Sequence, residues 1–324
     1  MTEPAPVLRH DYTIPEIRAL HDRPLFALID QARDVHRLAQ DPTALQLCSL
    51  LSVETGACAE DCAYCAQSAR YRTHVKAGRS LDPETILGHA TEARRRGATR
   101  FCMGAAGSGP DDEATFGRVL DLVRRVKALG IETCCSLGRL DADQARRLRE
   151  AGLDSYNHNL DTSRRYYPEI ITTRTFDDRL ATLRAVQAAG IRVCTGGIIG
   201  MGETVDDRCG MLQELAALDP HPDSVPLNVL VRIPGTPLAA LPPVDPLEIV
   251  RMVATARILM PRSMVRLSAG RAALGREAQL LAIYAGANSI FYGDKLLTVD
   301  NAGPDDDDAL LAAAGLTPLA PRPA

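Results

Sequence analysis

Residues 92–104, Glu92-Ala93-Arg94-Arg95-Arg96-Gly97-Ala98-Thr99-Arg100-Phe101-Cys102-Met103-Gly104, contain the end of one element and the start of the next. The three arginines complement the negative end of a helix dipole, Gly97 suits the left-handed residue that closes a helix, and Thr99–Gly104 reads as a short strand. The same punctuation recurs at Gly130, Gly152, Gly190 and Gly286, each just ahead of an apolar or β-branched run. Predicted strands are Leu45–Ser52, Thr99–Gly104, Ile131–Leu137, Asp154–Asp161, Ile191–Ile199, Ser224–Ile233, Met264–Ala269 and Asn288–Tyr292. Helix-like segments fall between them at 82–96, 111–129, 141–151, 175–189, 204–218, 245–260 and 276–285. Strands alternating with helices through short connections point to a parallel sheet. With no GxGxxG turn to suggest a doubly wound sheet, the expectation is an α/β fold, a closed (β/α)8 TIM-type barrel over residues 45–300. Residues 1–44 form an N-terminal helical extension in which Thr13-Ile14-Pro15 and Arg23-Pro24 open two helices. Residues 301–324, with prolines and the acidic run Asp305–Asp308, read as a short flexible tail with a solvated charge cluster.

The chain has 324 residues, 46% of them hydrophobic, enough to bury a large core. A net charge of −4 with both signs interspersed argues against a nucleic-acid partner. The sequence has no apolar run of about 18 residues and no charged-then-apolar start, so a cytoplasmic protein without membrane contact is expected. In a reducing compartment the nine cysteines call for metal binding or catalysis rather than disulfides.

Three of those thiols, Cys58, Cys62 and Cys65, share the Gly-, Asp- and Ala-rich stretch Leu51–Ser68. A structural zinc site takes four N or S ligands, and the next His or Cys downstream is His74. An iron–sulfur cube with three protein thiolates keeps one iron open for a non-protein ligand, and an open iron is a place for chemistry.

Strand parity marks a second group. Successive side chains of a strand face opposite ways, and in a helix-wrapped barrel the outward set is apolar. Phe101 and Met103 suit the helix layer, leaving Arg100 and Cys102 inside. The same reading sends Glu132 and Cys134 inward with Cys135 outward, Arg192 and Cys194 inward, and Arg266 and Ser268 inward. Three strands thus aim a thiol at one interior, and a fourth aims an arginine. Cys48 and Cys209 read as core residues. Asn157, Asn159 and Asp161 share inward parity at the C-terminal end of a strand, where barrel active sites assemble, whereas His158 has packing parity. The glycines at 196, 197, 200 and 202 permit close backbone approach to a ligand.

The spacing CxxxCxxC, with Tyr64 before the last thiol, resembles the signature of the radical S-adenosylmethionine (SAM) enzymes. The wider wording CAEDCAYCAQSARYRT and the blocks FCMGAA, ETCCSLG, GLDSYNHNLDTS, IITTRTFDDRL, VCTGGIIGMGET, SVPLNVLV, GTPLA, VRLSAGR and AGANSIFYGDKLLT resemble, in order, those of the biotin synthase family. The resemblance implies a sulfurtransferase that converts dethiobiotin to biotin by radical sulfur insertion. It implies a [4Fe-4S] cluster on Cys58, Cys62 and Cys65 whose open iron chelates SAM, and a [2Fe-2S] cluster on Cys102, Cys134, Cys194 and Arg266 as sulfur donor. It also implies SAM contacts from Tyr64, Asn159 and Asp161, contacts of Asn157 and Asn228 with the ureido ring of dethiobiotin, a small electron donor such as flavodoxin or ferredoxin, and a homodimer. One departure is Gly107-Ser108-Gly109, where the family commonly has a bulky aromatic. Two other readings are another radical SAM barrel, which should lack the Cys102, Cys134, Cys194 and Arg266 set, and a non-catalytic iron–sulfur redox carrier, which needs no polar cavity.

Overall fold

Strands form where the capping glycines place them. The structure, a computed structural model, describes residues 8–320 apart from 79 and 111; the two chain ends and the predicted helix start at Asp111 lie outside the described residues. The parallel strands are β1 (Ala44–Glu54), β2 (Arg100–Ala105), β3 (Glu132–Ser136), β4 (Ser155–Asn157), β5 (Arg192–Cys194) continued by β6 (Gly197–Ile199), β7 (Ser224–Val229), β8 (Met264–Leu267) and β9 (Ser289–Phe291). They pair in chain order, and β9 pairs back onto β1 from Gln46–Ser289 to Cys48–Phe291, which closes the predicted barrel. The predicted strand Ile191–Ile199 is interrupted at Thr195 and Gly196. A Cβ on Gly196 would stand 2.0 Å from the Pro226 carbonyl oxygen, so this glycine admits a neighbouring strand.

The helices are α1 (Ile14–His21), α2 (Leu25–Ala39), α3 (Pro83–Arg95), α4 (Glu113–Ala128), α5 (Ala142–Glu150), α6 (Tyr167–Ile170), α7 (Phe176–Ala188), α8 (Val205–Ala216), α9 (Pro246–Leu259), α10 (Arg276–Tyr284) and α11 (Pro304–Ala314). Side chains of Asp82, Asp112, Asp141, Thr175, Thr204 and Asp245 accept hydrogen bonds from first-turn amides, each cap being worth about 1 kcal/mol. The N-terminal helices meet the barrel through its helical layer, α1 on α8 and α2 along α9.

Outward strand residues Phe101, Met103, Cys135, Tyr156, Val193, Val225, Val265 and Ile290 join the core between sheet and helices. Inside, Cys48, Cys102, Cys134, Phe291 and Leu296 form a separate small cluster. At the N-terminal ends of the strands, buried Arg100 pairs with Glu132 at 2.5 Å and Asp223 at 2.7 Å, and Arg192 meets Glu132 at 2.8 Å. This charge network fills the end of the barrel away from the site.

As far as residue 320 the expected flexible tail is structured. A hairpin of β10 (Lys295–Leu296) and β11 (Val299–Asp300) leads to α11, and β12 (Thr317–Pro318) pairs with β1. Asp307, read as part of a solvated run, is 1% exposed and accepts two hydrogen bonds from buried Arg271. Arg271 is itself buried, and a buried cation needs a charged partner such as this carboxylate. Asp305 and Asp306 occupy the first turn of α11, where negative charge offsets the dipole.

Candidate active site

The loop after β1 is tied to itself and to the segment before α7. The Cys58 amide donates to the Gln67 carbonyl at 3.0 Å, the Ala69 amide to the Cys58 carbonyl at 2.7 Å, and Ser68 Oγ to the Glu60 carbonyl at 2.5 Å. Asp61 accepts from the backbone amides of Thr172 at 2.9 Å and Thr173 at 3.2 Å. Burial alone would raise the Asp61 carboxyl, but these bonds and the threonine hydroxyls outweigh it and bring it down to about 2. Burial pushes the Cys62 thiol up to about 12, with Asp161 adding to the shift, and burial likewise raises Cys65. Such thiols ligate only when a metal displaces their protons, and nearby cations favour that loss. Buried Arg174 supplies one: its Nη2 lies 3.9 Å from Cys62 Sγ and its Nε 3.4 Å from a Glu60 oxygen.

Asp161 is one of two non-glycine residues with positive φ among those described, at 67°. Such a conformation is sparsely populated and persists only where neighbours hold it. Here the Asp161 amide donates to the Gly196 carbonyl at 3.1 Å and the Ile198 amide donates to the Asp161 carbonyl at 2.8 Å. A Cβ on Gly197 would stand 2.6 Å from that Asp161 oxygen. The glycine pair expected to approach a ligand therefore admits protein backbone. The carboxylate so positioned accepts from Tyr64 Oη at 2.8 Å and Arg179 Nη2 at 2.5 Å.

Inside the barrel, Cys102 and Cys134 stand opposite each other across β2 and β3. Interaction between the two thiols lowers the Cys102 thiol against the effect of burial and, with burial, raises Cys134. Arg266 Nη1 lies 3.7 Å from Cys194 Sγ, and its Nε donates to Ser289 Oγ at 2.9 Å. Cys134 belongs to the interior cluster and Cys135 to the outer core, the division expected from parity.

One cavity of about 320 Å³ is lined by both thiol sets, by Arg266, and by Asn157, Asn159, Asp161 and Asn228. Among the described residues no three His, Cys, Asp or Glu side chains are grouped to hold a single metal ion. Both thiol sets border the same cavity, and three cysteines in one loop are the donor type that an iron–sulfur centre with an open position takes.

Asn157 Nδ2 lies 3.3 Å from Cys194 Sγ and 3.2 Å from Asn159 Oδ1. Asn228 donates to the Gly197 carbonyl at 2.9 Å and accepts from the Ala269 amide at 3.0 Å, so both ends of its amide hold backbone at the cavity wall. His158, assigned to packing by parity, also lines the cavity, and its Nε2 has no hydrogen-bond partner. Burial, then Arg179 and Arg174, holds its pKa well below the usual histidine value and keeps the ring neutral. Sequence reasoning missed Arg174 and Arg179; the signal was the need of Asp161 and three thiolates for cations, met by the arginines after Ile170-Ile171-Thr172-Thr173. It also missed the hairpin that brings Leu296, Leu297 and Val299 to the cavity wall.

A closed parallel barrel with a CxxxCxxC loop after its first strand is the architecture of the radical SAM enzymes, and residues 53–215 match the Radical SAM superfamily model. Residues 226–317 match the Biotin and Thiamin Synthesis associated domain. The biotin synthase of Sorangium cellulosum is 64% identical over 99% of this chain and 92% of its own length, and that of Myxococcus xanthus is 56% identical over 97% and 91%. Among solved structures, methylornithine synthase superposes with TM-score 0.80 at 20% identity, covering 95% of this chain and 94% of that one. The FeFe-hydrogenase maturase of Carboxydothermus hydrogenoformans gives 0.82 at 16%, covering 95% and 76%; both show the shared fold. The chain belongs to the biotin synthase family, radical SAM sulfurtransferases of biotin synthesis. With that membership come SAM and a [4Fe-4S] cluster.

Proposed function

We propose that this chain inserts sulfur into dethiobiotin between two iron–sulfur centres at one cavity, with Cys58, Cys62 and Cys65 holding the [4Fe-4S] cluster and Cys102, Cys134, Cys194 and Arg266 holding a [2Fe-2S] cluster. When bound, the first cluster with SAM supplies a carbon radical that takes hydrogen from dethiobiotin, and the second supplies the sulfur. The rest is the work of the chain's residues. Asp161, fixed by Arg179, and Asn159 hold the SAM ribose, while Tyr64 lies beside the adenine. Asn157, beside Cys194, and Asn228 meet the ureido ring, whose N–H and C=O groups suit amides. Arg174 stabilises the thiolate form of Cys62. Leu296, Leu297 and Val299 exclude water from the reacting carbons. Electrons arrive from a small carrier such as flavodoxin or ferredoxin, and the enzyme acts in the cytoplasm as a homodimer.

The observation that carries this reading is a single cavity lined by both donor sets. Its test is anaerobic reconstitution, iron and sulfide analysis, and a biotin assay with dethiobiotin, SAM and reductant. Cys134→Ala and Cys194→Ala should each lose the second centre and biotin formation while keeping the first. Full biotin formation with both cluster spectra intact in either variant would refute it.

A further inference from the structure

The barrel interior holds a thiol that the proposed ligand set does not use. Cys48 lies on β1, is wholly buried, and clusters with Cys102, Cys134 and Phe291. Its Sγ is 3.2 Å from Arg266 Nη2, while Nη1 of the same guanidinium is 3.7 Å from Cys194 Sγ. Arg266 therefore bridges two thiols, one within the proposed set and one outside it. Ser289 Oγ, 3.8 Å from Cys48 Sγ and 2.9 Å from Arg266 Nε, holds the pair together from β9.

Two further facts bear on what this thiol does. Arginine is a poor metal donor, because its guanidinium carries five N–H donors and no acceptor, whereas four thiolates are the ordinary ligands of a two-iron cluster. Cys48 on β1 clusters with Cys102 and Cys134 on β2 and β3, and Arg266 joins it to Cys194 on β5, so a fourth thiol stands beside the proposed set. Arg100, opposite Cys48 in the β1–β2 register and fully buried, gives its terminal nitrogens to Glu132, Asp223 and Ser224 but has an Nε with no hydrogen-bond partner. A buried donor without an acceptor is costly, and a thiolate on the neighbouring Cys48 would bring negative charge beside it.

We propose that Cys48 is a spare fourth thiolate ligand for the second iron–sulfur centre, held off by Arg266 and taking its place when the guanidine leaves. The inference rests on the reading that Cys102, Cys134, Cys194 and Arg266 form that centre. The exchange balances without an oxidant or reductant. One iron–nitrogen bond breaks and one iron–sulfur bond forms. The proton that Cys48 gives up is the one the departing guanidine of Arg266 takes up, and these two groups are already in contact. A centre that surrenders a sulfide in each turnover thereby has a protein ligand to hold its iron while the sulfide is replaced.

The test uses the full chain reconstituted anaerobically with ⁵⁷Fe and read by Mössbauer and visible absorption. In the unaltered protein the two irons of the second centre should be unlike, one facing two thiolates and the other a thiolate and a nitrogen. Arg266→Ala should keep the centre and make the two irons alike, with thiolate-only spectra. Arg266→Ala/Cys48→Ser should lose at least about half of that centre or restore unlike irons, and Arg266→Ala/Cys48→Ala should do the same. The [4Fe-4S] iron on Cys58, Cys62 and Cys65 reports within each sample that the barrel has folded. Superimposable second-centre spectra for Arg266→Ala and both double variants would overturn the role of Cys48 alone. A two-iron centre that survives Cys102→Ala/Cys134→Ala/Cys194→Ala would instead overturn the reading beneath it.

Discussion

Asp161 meets several demands at once. It adopts a left-handed backbone, joins two strands through its own amide and carbonyl, and gives its carboxylate to Tyr64 and Arg179. Removing one partner of a buried ion pair leaves the other charge uncompensated, at a cost of about 3–5 kcal/mol. Asp161→Asn should therefore lower thermal stability by several degrees and weaken SAM binding at least about tenfold, ~1.4 kcal/mol. A melting curve and equilibrium dialysis check both effects, and an unchanged SAM affinity would remove Asp161 from the site. Neighbouring Cys134 and Cys135 pack in different clusters, although both reach the cavity wall. Cys135 sits in the outer core, its thiol raised by burial, so Cys135→Ala should cost about 1 kcal/mol and leave iron and sulfide contents unchanged. Loss of the second centre in that variant would mean that the ligand is the other thiol. Strand parity foresaw these orientations because alternation follows from covalent geometry. It did not foresee the contact of Cys48 with Arg266: burial was legible, but Arg266 lies 218 residues away and meets it only in the closed barrel.

At the scale of elements, the loop carrying the first three thiols depends on an anchor outside itself. Asp61 fastens it to residues 172 and 173, and its carboxyl is held at about 2, below the ordinary value near ~4. A depressed carboxyl stabilises the fold fully above its unfolded pKa and loses that contribution as pH falls through the folded one. The docked loop should therefore loosen between about pH 4 and 2, with limited proteolysis at residues 58–73 as the readout. Asp61→Asn should be cleaved faster at neutral pH and show a flatter acid dependence. Equal cleavage of the two proteins at pH 7 would show that the anchor is dispensable. Elements whose signals are local were legible in the sequence: Gly97, Gly130, Gly152, Gly190 and Gly286 end helices, and Asp82, Asp141, Thr175, Thr204 and Asp245 cap them. The helix α11 was not, because an aspartate run looks solvated until Arg271, 36 residues earlier in the chain, is brought beneath it.

For the molecule as a whole, the barrel acts as a vessel with a charged plug at one end and a reactive loop at the other. Arg100, Glu132, Asp223 and Arg192 close the N-terminal ends of the strands, the β1 loop brings three thiols to the opposite mouth, and the second thiol set lies between. On the proposed reading, a substrate held in such a cavity would have a radical source on one side and a sulfur source on the other. The most direct measurement is the mass of the biotin formed in one turnover after the second centre has been rebuilt with ³⁴S-sulfide. The expected product carries the heavy isotope, and Cys194→Ala yields none. Light biotin from enzyme whose second centre is fully labelled would contradict the central claim.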